Sequence, residues 1–104
     1  MKTYRLAVDG MGGDHAPKAI VEGVCQAATA GDLHILLTGD EKILERELEA
    51  FPKVRKYIEI IHAPQSIPMD AKPKEIFDKY PESSMIKAAE IVATGQAEAL
   101  ISAG

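Results

Sequence analysis

Four short apolar runs alternate with segments of helical periodicity, and that alternation limits the architecture more than any other feature of the chain. The runs are "YRLAVD" (residues 4–9), "HILLTG" (34–39), "YIEIIHA" (57–63) and "EALISAG" (98–104). Between the first two, Ile20, Val21, Val24, Ala27 and Ala28 fall on one face of a helix that opens at Pro17 and is capped at Gly31. Asp40 can N-cap a second helix with Ile43, Leu44, Leu48 and Phe51 on one face, stopped by Pro52. The basic "KVRK" (53–56) then reads as a solvated helix end. Four prolines, at 64, 68, 73 and 81, leave room only for a short helix in "KEIFDKY". Ser83 caps a last helix over about 84–94, with Met85, Ala88, Ala89 and Val92 on one face and Gly95 at its end. Strands alternating with single helices predict an α/β layered fold with a mainly parallel sheet and helices on both faces.

Composition adds boundaries rather than a function. A formal net charge of −4 and a pI near 5.3 give no electrostatic reason to bind nucleic acid. The single cysteine, Cys25, excludes an internal disulfide or a multi-cysteine zinc site and reads as a small core residue. No apolar stretch approaches the ~20 residues that span a bilayer. His34 and His62 fall in predicted strands and read as structural residues.

In open parallel sheets, ligands bind beyond the carboxyl ends of the strands. The stretch "DGMGGDHAP" (9–17) lies there, between the first strand and the first helix. It fails as a dinucleotide fingerprint, since the sixth position counted from Gly10 is His15, and it lacks the Lys-Ser or Lys-Thr of a P-loop. Two readings stay open. One is a backbone N–H cradle for an anion at a helix N-terminus; the other is a tight turn that needs positive φ at one or two glycines. Asp9, Asp14 and His15 carry metal-ligand chemistry, but Asp14 reads better as satisfying local backbone donors in an Asx turn or cap. Ser83 and Ser84 stand at a helix start, as an N-cap and its neighbour or as donors to a bound anion.

Taken together, "LAVDGMGGDHAP", "IVEG", "SSM" before a helix and "ALISAG" resemble the N-terminal part of the bacterial phosphate acyltransferases of phospholipid synthesis. The resemblance runs from the first strand to the last residue. Between Lys72-Pro73 and "SSM" that family is richly basic, whereas this chain has "KEIFDKYPE".

The resemblance implies a fold like that of the isocitrate and isopropylmalate dehydrogenases. It makes residues 1–104 the first portion of a single catalytic domain that continues beyond them. The implied enzyme moves a long-chain acyl group from acyl carrier protein to inorganic phosphate, as a homodimer without metal or organic cofactor. It works in the cytoplasm, with peripheral association at the inner face of the membrane through parts outside this chain. Asp14 and His15 take the catalytic roles, and Asp9, Gly10, Gly12, Gly13, Lys72, Ser83, Ser84, Ser102 and Gly104 the phosphate-binding ones. The alternatives are a related enzyme that uses acyl-coenzyme A, and a folded but inactive fragment.

Overall fold

The structure, a computed structural model, describes residues 3–13, 15–29, 31–68 and 70–102. Its elements run β1 (Tyr4–Asp9), α1 (Lys18–Ala28), β2 (Leu33–Gly39), α2 (Glu41–Leu48), β3 (Ile58–His62), α3 (Pro73–Lys79), α4 (Ser84–Ala93) and β4 (Ala99–Ile101). The four strands form one all-parallel sheet in the order β3-β2-β1-β4. The α/β fold and the parallel sheet read from the sequence are both present.

The period-2 alternation of the strands sorts their side chains onto two faces. Val8, Ile35, Leu37 and Ile58 point to the face covered by α1 and α2, where they meet Val21, Val24, Ala28, Leu44 and Leu48. Ala7 and Leu36 point to the other face and pack on Ala88 and Ile91 of α4. Each fully buried aliphatic side chain of this kind contributes about 1.5–3 kcal/mol relative to exposure. Cys25 is in the first cluster as expected, and burial raises its thiol pKa, so it rests as an inert thiol.

Because α1 and α2 lie on one face and α4 on the other, the chain changes direction in the sheet at β1. It steps outward through β2 and β3, then crosses back to set β4 on the far side of β1. The carboxyl ends of β1 and β4 therefore form a topological switch point, where open α/β sheets leave a crevice.

Several local expectations are corrected. The second helix stops at Leu48, and Phe51 reaches the core through a turn closed by its N–H on the Leu48 carbonyl at 2.9 Å. Ile43, at the margin of that helix face, is exposed. The basic stretch 53–56 is not a solvated helix end. Val54 is buried, and Arg55 opens a 3₁₀ turn, donating to the Ile58 carbonyl and to Glu45 Oε1, both at 2.5 Å. Ala27 is exposed on α1, while Cys25 takes a buried place. In α4 the buried positions are Ser84, Ile86, Ala88 and Ile91, with Met85, Ala89 and Val92 only partly buried. Period-3.6 counting found these helices but centred their faces one residue away.

Arg5 and Glu98 join the amino ends of β1 and β4. The Arg5 N–H donates to Glu98 Oε2 at 2.6 Å, and the guanidinium reaches Oε1 at 3.2 Å. The Arg5 backbone bond, foremost, lowers the Glu98 pKa.

Gly10 is where the fold tolerates no side chain. A Cβ there would stand 2.6 Å from the Thr38 carbonyl oxygen, which is backbone and cannot move aside. Gly10→Ala should thus lower stability by about 1–3 kcal/mol. Gly23 in α1 is its control, since an added Cβ meets nothing within 4 Å. Gly23→Ala should raise stability by about 0.5–1 kcal/mol, the ordinary gain for a helix interior. Denaturant unfolding decides; a Gly10→Ala variant as stable as wild type contradicts the packing at this edge.

Candidate functional site

Asp9 ends β1 and is 3% exposed. An ionised carboxylate can only accept hydrogen bonds, and burying one is costly unless donors surround it. Three do. Its Oδ1 accepts from the Met11 N–H at 3.1 Å and from the Ser84 hydroxyl at 2.5 Å, and its Oδ2 accepts from the Ser102 hydroxyl at 3.0 Å. These donors come from the glycine loop, the first turn of α4 and the end of β4. One side chain thus closes the switch point from three sides.

The register explains why the three converge. Asp9 follows Ala7 on the α4 face of the sheet. Ser102 follows Leu100, which is paired beside Ala7. Thr38, paired beside Asp9, is fully buried on that face, and its hydroxyl donates to the Ser84 carbonyl at 2.7 Å. Ser83 N-caps α4, its Oγ accepting from the Ile86 N–H at 3.4 Å. Gln65 fixes the approach to this cap: its side chain accepts from the Glu82 N–H at 2.6 Å and donates to the Lys79 carbonyl at 3.2 Å.

The glycine loop turns tightly over this cluster. The Gly10 N–H donates to the Thr38 carbonyl at 2.7 Å, so it is engaged within the fold. Met11 packs against the core on the α1 side. Gly39 leaves space for it: a Cβ at Gly39 would lie 2.8 Å from Met11 Cγ, and the Gly39 φ of +155° suits glycine. Gly13 takes a φ of +92°, as the tight-turn reading requires. The chain then enters α1, with the His15 carbonyl accepting from the Ala19 N–H at 3.0 Å. The His15 side chain is exposed.

The structure therefore brings Asp9, Ser84 and Ser102 into hydrogen-bonding contact and places Gly10 beside them through its loop. Gly12, Gly13 and His15 follow in the same loop, and Ser83 stands one residue before Ser84. Asp14 and Gly104 lie outside the described residues. Lys72 is exposed at the start of α3, and no hydrogen bond among the described residues ties it to the cluster. His34 Nε2 lies 3.8 Å from Glu59 Oε1 on the neighbouring strand, and His62 Nδ1 accepts from the Glu41 N–H at 3.2 Å. Among the described residues, no group of three or more His, Cys, Asp or Glu side chains is placed to hold a metal ion. No helix among them is long and apolar enough to cross a membrane.

Thr38, Met11 and Gln65 were missed in the sequence. Thr38 left a signal, as the one hydroxyl in an otherwise apolar strand end. Met11 left a weaker one, an apolar residue between glycines. Gln65 left none.

A groove of about 280 Å³ runs along α1 beneath the β1–β4 edge, lined by Val8, Ile20, Gly23 and Ile101, with Asp9 and Ser102 also in its wall. It is the apolar side of the same crevice.

A parallel α/β sheet with a glycine loop and a helix start at its switch point places that loop where open α/β sheets bind their ligands. The family model described as "Fatty acid synthesis protein" matches residues 4–104, and the chain belongs to that family. It is 39% identical over 99 residues to the phosphate acyltransferase of Clostridium kluyveri, covering 95% of this chain and 30% of the relative. It is 45% identical over 101 residues to the phosphate acyltransferase of Streptococcus suis, covering 96% and 29%. The chain thus spans about 30% of the length of the curated relatives it matches.

If Asp9 is held as described, Ser84→Ala leaves its Oδ1 with one donor in place of two. Stability should fall by about 1–3 kcal/mol, the cost of a buried acceptor losing a partner. Chemical denaturation measures it, and an unchanged midpoint would show that the short contact has no energetic weight.

Proposed function

We propose that the protein containing this chain is a phosphate acyltransferase, transferring an acyl group from the thioester of acyl carrier protein to inorganic phosphate and releasing acyl phosphate. The observation that carries the reading is the glycine loop. It sits at the switch point, is held down by Asp9 and Met11, and opens the eleven-residue helix α1. Family membership and the names of the relatives support the acyl chemistry.

The chemistry fits such a loop. Phosphate is already a nucleophile near neutral pH, so it needs placement more than activation. Fixing it against a thioester removes part of an entropic barrier that reaches about 7–11 kcal/mol in well-oriented systems. The Ala19 N–H is taken by the His15 carbonyl, so it is the α1 dipole together with the loop's own N–H groups that favours an anion there. Gly12 and Gly13 carry no Cβ to hold an oxygen away. In this proposal they cradle phosphate, and His15 with Asp14 orients it or handles its proton. As the phosphate oxygen attacks, the thioester carbonyl becomes an oxyanion, which fixed donors stabilise by preorganisation.

The Gly10 N–H is committed to Thr38, so Gly10 serves by letting β1 and β2 close rather than by touching phosphate. Lys53 and Lys56 of "KVRK", and Lys72 with Lys74, all exposed, are cations available to an acidic carrier protein. A dimer in the cytoplasm, peripheral to the membrane and built on a dehydrogenase-like fold that continues beyond this segment, completes the proposal.

The complete protein should release thiol from acyl-acyl carrier protein only when phosphate is present, with higher kcat/KM than for acyl-coenzyme A. Gly12→Val should raise the phosphate KM by at least about tenfold, or abolish turnover, while the protein stays folded. His15→Ala should lower kcat if the ring acts in the transition state, and raise KM if it only holds phosphate. Wild-type kinetics in both variants would make the loop a structural turn and overturn the proposal.

A further inference from the structure

The Asp9 carboxylate repels a phosphate dianion beside it, and the way it is bonded resolves the conflict. We propose that Asp9 is a specificity-determining residue: acting through the Ser84 hydroxyl, it makes the site accept an oxyanion that carries its own proton and reject one that does not. The proposal rests on the reading of the glycine loop as the phosphate site.

A serine hydroxyl has one proton and two lone pairs. At 2.5 Å from Asp9 Oδ1, the Ser84 proton is committed to the carboxylate, which has none to give. What Ser84 Oγ has left to offer is therefore an acceptor. The Met11 N–H is bound to the same Oδ1 at 3.1 Å, so the glycine loop and the hydroxyl meet around one oxygen atom. An anion cradled by the loop borders this acceptor and the buried negative charge behind it.

A bare dianion in that place gains no hydrogen bond on this side and is repelled. Hydrogen phosphate brings a P–OH group, which donates to Ser84 Oγ while Ser84 donates to Asp9. The repulsion becomes a chain of hydrogen bonds in which each link polarises the next. Sulfate near neutral pH has the same size and charge but no proton, whereas arsenate is protonated like phosphate. Sites built to bond a hydroxyl reject analogues without one far more strongly than apolar pockets reject a methylene.

Calorimetric titration of the complete protein with inorganic phosphate, arsenate and sulfate tests this without measuring turnover. Phosphate and arsenate should bind with similar affinity, and sulfate at least about 100-fold more weakly. Asp9→Asn puts N–H donors in the cluster and frees a serine proton to turn outward. Its preference for phosphate over sulfate should fall to less than about fivefold. If Asp9→Asn does not fold, Asp9→Ser gives the same readout, since it too removes the carboxylate charge that holds the Ser84 proton. Sulfate binding wild type as tightly as phosphate, arsenate behaving like sulfate, or a folded variant keeping the full preference would each overturn the assignment. Failure of all three anions to bind at millimolar concentration would instead overturn the phosphate site itself, and the selectivity with it. A purely structural Asp9 would change stability and leave the anion ratio untouched.

Discussion

A buried carboxylate with three donors is the interaction on which this edge of the molecule depends. Asp9 would be costly at 3% exposure if it stood alone. Met11, Ser84 and Ser102 satisfy it, and in doing so they fix the loop, the start of α4 and the end of β4 relative to one another. The three segments are far apart in sequence, and no apolar contact could set their angles as narrowly, because hydrophobic burial has no direction. Thr38 adds a fourth tie by holding the Ser84 carbonyl from β2.

The two faces of the sheet divide the work. On the α1 and α2 face, aliphatic packing is continuous and includes Met11, so the loop is anchored into the core by its own side chain. On the α4 face, the apolar contacts of Ala7 and Leu36 give way at the carboxyl end to Asp9, Thr38 and Ser84. Polar groups thus gather where the strand order reverses and the helices diverge, which is where a ligand can reach them. Gly10 and Gly39 serve the same end by removing side chains where backbones or Met11 must pass.

Much of this was legible in the sequence. Strand periodicity gave β1 its full extent, and Asp40 and Ser83 were legible as caps because short polar side chains before apolar helices have few other uses. The glycine loop was visible as unusual, but not which glycine does what. That Gly10 is required by the Thr38 carbonyl and Gly39 by Met11 depends on strand pairing, which spacing does not reveal. The same holds for Asp9: read alone it was a phosphate contact or a metal ligand, and only its partners from α4 and β4 turn it into an organiser. Period-3.6 counting centres the α4 face one residue from the buried one, and the stretch 53–56 does not end a helix because Arg55 finds partners in α2 and β3.

Whether the loop holds phosphate through its backbone can be read amide by amide. Inorganic phosphate titrated into the ¹⁵N-labelled complete protein should shift the Gly12, Gly13 and His15 amide resonances along one saturable curve, while Gly10, committed to Thr38, moves little. Shifts confined to the Lys72 and Lys74 region, or no saturable shift in the loop, would contradict the assignment of this edge as the phosphate site.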